Sequence, residues 1–136
     1  MEHSVLVDSD FWIALYSKSD TNHNRAENII ASLANDSVLH VFLSSFVYAE
    51  TVTILSQRVS RETARYFMDD IGEQGATLLY INEDVFSIAQ HLFKKQRSKN
   101  TSFVDVVNIS LLQSYSFSGI LSFDRDYKRN GIHVMT

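Results

Sequence analysis

Short apolar runs alternate with segments of helical period along this chain, and that alternation narrows its folds more than any other feature. The runs cover residues 5–7, 38–43, 77–81, 120–123 and 132–135. Between them, Ala26, Ile29, Ile30 and Leu33 fall on one helical face, as do Ala64, Phe67, Met68 and Ile71, and again Val85, Ile88, Ala89, Leu92 and Phe93. Ser60 and Asn82 stand where N-caps belong. Two further helical segments, 45–57 and 103–115, are apolar on more than one face, the mark of helices buried on both sides. Strands that alternate with helices pair in parallel and carry helices on both faces. The expected class is therefore α/β, a three-layer α/β/α fold around a mostly parallel sheet of about five strands.

Nothing in the chain divides it. With 136 residues, 45% of them apolar, no proline and only four glycines, residues 1–136 read as a single domain. Gly72 and Gly75 bracket a turn, Gly119 follows a helical pattern as a C-cap glycine would, and Gly131 punctuates the tail. The absence of cysteine excludes disulfides and thiolate metal sites, and the five histidines show no metal-ligand spacing. Residues 1–4 lack the basic start of a secretory leader and no run nears the length of a membrane span, so a soluble, cytoplasmic protein is expected. The net charge of −4 speaks against a protein that coats nucleic acid, but not against an enzyme acting on it.

Acids set in apolar neighbourhoods carry the chemistry. Asp8 closes the first run in "SVLVDSDF", Glu50 lies in "SSFVYAETVTIL", Asp105 in "TSFVDVVNISLL" and Asp124 in "ILSFDRDY". In open parallel sheets, sites form at the carboxyl ends of strands, where Asp8 and Asp124 fall. Crowded carboxylates raise one another's pKa unless a cation neutralises them, and a set of oxygen donors selects Mg²⁺ or Mn²⁺. Asn108, one helical turn after Asp105, is placed to hydrogen-bond a ligand carboxylate or a metal-bound water. Asp10 is assigned as an N-cap of the helix after the first run. Asp126 competes with Asp124 as the fourth acid, and Arg125 is the cation best placed to meet a substrate phosphate. The basic run 94–99 reads as a solvated helix end, with a role along an RNA backbone as its functional alternative.

In these segments the chain resembles the PIN-domain ribonucleases, and among them the VapC-type toxins. "VLVDSDFWIALYSKSDTNHNRA" is similar to the family's opening strand, acid-hydroxyl turn and helix pair, and "LSSFVYAE", "SFVDVVNISLL" and "ILSFDRDY" to the segments bearing its later acids. The resemblance implies that Asp8, Glu50, Asp105 and Asp124 form the catalytic and metal-binding cluster. Asp8 and Asp105 would be direct ligands of Mg²⁺ or Mn²⁺, and Glu50 and Asp124 would bind a second ion or orient metal-bound water. Ser9, Ser102 and Ser122 match the family's hydroxyl positions, Ser122 standing where threonine is frequent. The activity implied is metal-dependent hydrolysis of RNA to 5′-phosphate and 3′-hydroxyl ends by the toxin of a toxin–antitoxin pair. The implied partners are an RNA substrate, a cognate antitoxin protein and a second copy of the chain in a homodimer. One alternative is a non-catalytic PIN-fold module that binds RNA or protein. The other rests on "DSD", which resembles the opening of haloacid-dehalogenase-like phosphatases with Asp8 as nucleophile and Asp10 as acid/base.

Overall fold

The computed structural model describes residues 1–136. In chain order the elements are β1 (Glu2–Val7), α1 (Ser9–Tyr16), α2 (His23–Asp36), β2 (Val38–Ser44), α3 (Ser45–Arg58), α4 (Arg61–Glu73), β3 (Thr77–Leu79), α5 (Glu83–Lys95), α6 (Phe103–Ser114), β4 (Gly119–Leu121) and α7 (Asp126–Arg129). The strands form one sheet in the order β3-β2-β1-β4, every pair parallel. After β1 the chain steps outward through β2 and β3, then returns to the far side of β1 to make β4. Connections leaving β1 and β4 therefore diverge, which opens a crevice at their carboxyl ends.

Alternation along β1 separates the two faces of the sheet. Val5 and Val7 pack with Phe11, Trp12, Ala26, Leu43, Val47, Leu55 and Phe67 on the side of α1 to α4. Leu6 points the other way, into Val85, Ala89, Val106, Val107, Ile109, Ile120 and Tyr127 on the side of α5 to α7. The three layers expected from the alternation of runs are thus present. Ser60 and Asn82 cap α4 and α5 as expected, their side chains accepting from the backbone N–H of Thr63 and Val85 at 3.0 and 2.9 Å.

Four strands form rather than five, and their ends have local causes. The β4 run, expected over 120–123, stops at Leu121 because the N–H of Phe123 donates to a carboxylate, Asp10 Oδ2, at 3.0 Å instead of joining the ladder. The β3 run stops at Leu79, and the N–H of Ile81 donates to Ser45 Oγ at 3.3 Å. The last run, 132–135, makes a single parallel bridge between Val134 and Ile120. Further pairing is cut off where the Thr136 hydroxyl occupies the Ser122 carbonyl at 2.8 Å.

Gly119 is not a helix C-cap. It opens β4, and a Cβ there would lie 2.6 Å from the His133 carbonyl oxygen, so glycine is required for the C-terminal segment to lie against the strand. The positive φ expected of a turn glycine belongs to Gly75, at 81°, and Gly131, at 76°. Gly72 is an exposed position within α4 where an added Cβ meets nothing. Gly119→Ala is expected to destabilise the fold by about 1–3 kcal/mol. Gly72→Ala is expected to leave stability unchanged or raise it by about 0.5–1 kcal/mol, and urea unfolding of both variants measures the contrast.

Candidate active site

Asp8 leaves β1 at the crevice and caps α1, its Oδ1 accepting from the N–H of Ser9 at 2.9 Å. The cap is therefore Asp8 and not Asp10, because α1 starts at Ser9, two residues before the start that a cap at Asp10 requires. Asp10 sits in the first turn of α1 and turns across to β4, where Oδ2 accepts from the N–H of Phe123 and the Ser122 hydroxyl lies 3.3 and 3.4 Å from its two oxygens. Sequence reasoning left Asp10 out of the acidic centre, and the structure places it at the edge of that centre.

Around Asp8 the chain gathers neutral donors from distant elements. Asn108 Nδ2 donates to Oδ1 at 3.1 Å, and the hydroxyls of Ser122 and Tyr127 reach Oδ2 at 3.0 Å each. Asn108 thus meets a carboxylate as its helical spacing from Asp105 predicts, although the acid it contacts is Asp8. Asp105 opens α6 through a capping box with Ser102. The Ser102 hydroxyl accepts from the N–H of Asp105 at 3.1 Å, while the N–H of Ser102 donates to Asp105 Oδ2 at 2.9 Å. The other oxygen of Asp105 lies 3.1 Å from the Tyr127 hydroxyl. Glu50, half-buried on α3, accepts from the Ser9 hydroxyl. Ala49 beside it is exposed.

Asp124 and Asp126 differ in their neighbours. The N–H of Asp124 donates to Ser122 Oγ at 3.0 Å, and its charge acts on both Asp10 and Asp105. Asp126 is buried but paired with Arg129 at 2.7 Å, so its charge is already met. Arg125 is exposed and forms no ion pair with any of these acids. The run 94–99 ends α5 and continues into the exposed loop before α6.

The electrostatics are those of like charges in a low-dielectric pocket without a protein cation. Burial, reinforced by Asp10 and Asp105, pushes the Asp8 carboxyl up to about 7. Burial, with Asp124 beside it, pushes Asp10 up to about 6 against hydrogen bonds that pull the other way. Asp105 is raised mainly by burial, and the Tyr127 phenol is held well above its ordinary range by burial and by Asp8 and Asp105. The ion pairs of the chain are His23–Glu27, His40–Glu2 and Arg129–Asp126, none of which touches the centre.

Carboxylate, hydroxyl and amide oxygens are the donors a hard divalent ion takes, and the Asn108 Oδ1 is buried here without a partner. No three carboxylates or imidazoles already converge on one point. Asp8 is surrounded by four donors, Asp105 is turned to its own helix cap and Glu50 is held by Ser9. Among the sequence-expected residues, Asp8, Ser9, Glu50, Ser102, Asp105, Asn108, Ser122 and Asp124 are brought into one connected neighbourhood; Asp126 joins it only through its backbone N–H, which donates to Asp124 Oδ1 at 2.9 Å while its carboxylate turns to Arg129, and Arg125 does not join it. Tyr127 was missed, because its contact with Asp8 joins residues 119 positions apart and nothing in a local pattern signals it.

The fold and this neighbourhood define a parallel α/β/α protein with an oxygen-rich acidic centre at the sheet's topological switch point. Residues 5–132 match the family model of the PIN domain, and the chain belongs to that family. Membership leaves the phosphatase alternative without support. The structure is similar to that of VapC20 from Mycobacterium tuberculosis, described as a sarcin-ricin loop cleaving toxin, with a TM-score of 0.85 and 22% identity over 95% of this chain and 96% of that one. It is also similar to a chain of VapBC2 from Rickettsia felis, solved bound to a DNA fragment from its promoter, with a TM-score of 0.64 and 14% identity over 93% of this chain and 92% of that one. At these identities the likeness is one of fold. Among curated proteins no sequence matches.

The raised Asp8 makes stability pH-dependent in a defined direction. The unfolded chain releases this proton near the ordinary carboxyl value, whereas the folded chain holds it until about pH 7. Stability of metal-free protein is therefore expected to fall as pH rises from about 4 to 7 and to level off above, by on the order of a few kcal/mol. Asp8→Asn, which keeps the shape and removes the charge, is expected to flatten this slope and to be at least as stable as the parent at pH 8. Thermal melts in EDTA between pH 4.5 and 8.5 measure both.

Proposed function

We propose that the chain is a divalent-metal-dependent endoribonuclease acting as the toxin of a toxin–antitoxin pair. One observation carries the reading: Asp8, Asp10, Asp105 and Asp124 crowd the sheet's carboxyl edge, partly or fully buried, with no lysine or arginine paired to any of them. A cluster that repels itself this strongly is built for a cation supplied from outside. A bound Mg²⁺ or Mn²⁺ would supply hydroxide near neutral pH and screen the phosphoryl oxygens as charge builds on them. Asp8 and Asp105 are the ligands in this reading, with Glu50 and Asp124 assisting from either side. Asn108 and Ser122 fix the orientation of Asp8 through its two oxygens.

Membership of the PIN family and the likeness to a sarcin-ricin loop cleaving toxin support RNA as substrate, and the likeness to a chain of a VapBC complex supports a cognate antitoxin. No helix is long and apolar enough to cross a membrane, in keeping with a cytoplasmic protein. A homodimer belongs to the same reading, and Phe86, Ile88 and Phe93 on α5 stand about two-fifths exposed, apolar surface that a second copy would cover.

Purified, antitoxin-free protein is expected to cut an RNA pool with Mg²⁺ or Mn²⁺, to leave 5′-phosphate ends, and to stop in EDTA. Asp105→Asn is expected to fall to the EDTA level while melting as a folded protein. Folded protein that leaves the pool intact with either metal would move the reading to a non-catalytic PIN module that binds RNA or protein.

A further inference from the structure

The Tyr127 ring is held by its surroundings before any question of function arises. It is 1% exposed, packs with Leu6, Val106, Val107 and Ile120, and its carbonyl accepts from the N–H groups of Asn130 and Ile132 at 3.1 and 3.0 Å. From that fixed seat the hydroxyl oxygen lies 3.0 Å from Asp8 Oδ2 and 3.1 Å from Asp105 Oδ1. Asn108 Nδ2 donates to it at 3.0 Å while also donating to Asp8. Because Asn108 fills the acceptor side of the phenol oxygen, the single phenolic hydrogen is directed toward the two carboxylates, which share it.

We propose that the Tyr127 hydroxyl is a positioning group that sets the separation of Asp8 and Asp105, and through it the affinity of the acidic centre for a divalent cation; this rests on reading that centre as a metal site. The two acids come from different elements, the exit of β1 and the first turn of α6, and repel each other. Asp8 is fixed by three further donors, but Asp105 is otherwise tied only to Ser102 within its own helix cap. The shared hydroxyl is the one side chain that contacts both. Removing it leaves the ring packed and the cap intact, and frees Asp105 to turn away from Asp8. Ser122 plays a similar part between Asp8 and Asp10, from a position already expected in the sequence.

The test is Mn²⁺ binding, measured by electron paramagnetic resonance without RNA, on the parent, on Tyr127→Phe and on Tyr16→Phe. The last deletes a hydroxyl that is bonded to a carboxylate, Asp70, at 2.6 Å outside the centre. Tyr127→Phe is expected to weaken Mn²⁺ binding by about ten- to a hundredfold. Tyr127→Phe is expected to remain folded, with a modestly lower urea midpoint for the loss of a buried donor to Asp8, and RNA cleavage should recover as Mn²⁺ is raised. Tyr16→Phe is expected to keep the parent affinity. Equal Mn²⁺ affinity in the parent and in folded Tyr127→Phe would overturn the positioning role while leaving the metal site standing. A parent that binds no Mn²⁺ would overturn the metal site itself, and the positioning role with it.

Discussion

Burial of the Asp8 carboxylate beside other carboxylates is the constraint on which the rest of this structure turns. An ionised carboxylate loses most of its hydration at such a depth, and without compensation it would stay protonated or unfold the edge of the sheet. The chain answers with neutral donors drawn from four places: the Ser9 amide, the Asn108 side chain, the Ser122 hydroxyl and the Tyr127 hydroxyl. These offset part of the penalty, as the carboxyl that still rises to about 7 makes plain. A centre left in that condition destabilises the free protein, which fits the divalent cation proposed for it.

Sheet topology makes the gathering feasible. Only at the switch between β1 and β4 do two carboxyl ends lie side by side with their connections diverging. The exit of β1 places Asp8 and Asp10 there, and the exit of β4 places Ser122 and Asp124. The N-terminus of α6 contributes Asp105, and α7 folds back over the core to deliver Tyr127. The same acids that crowd the site also shape the backbone, since Asp10 takes the N–H of Phe123 and so ends β4. Site and strand boundary are one feature seen from two sides.

Much of this was legible in the order of residues. Hydrophobic periodicity reports which face of an element is buried, so the α/β alternation, the three clean helices and the caps at Ser60 and Asn82 could be read directly. The four acids were legible because an acid in an apolar setting is conspicuous, and because the segments around them resemble a known family. The C-terminal strand, the Gly119 cap and the Asp10 cap were misread for a common reason. Each was judged from its own neighbours in sequence, while each is decided by a group far along the chain: Thr136 on Ser122, His133 on Gly119, Phe123 on Asp10.

By itself, the sequence determined the layers, the helical faces and which acids leave the strands, because local periodicity and capping act over a few residues and need no partner. Only the tertiary structure decided how those acids meet. It paired Asp126 with Arg129 and left Asp124 without an ion pair, brought Asp10 to the edge of the centre, and placed the Tyr127 hydroxyl between Asp8 and Asp105. The physical reason is that desolvation and hydrogen bonding depend on what lies within about 3–4 Å in space, and in a parallel sheet those neighbours arrive from opposite ends of the chain.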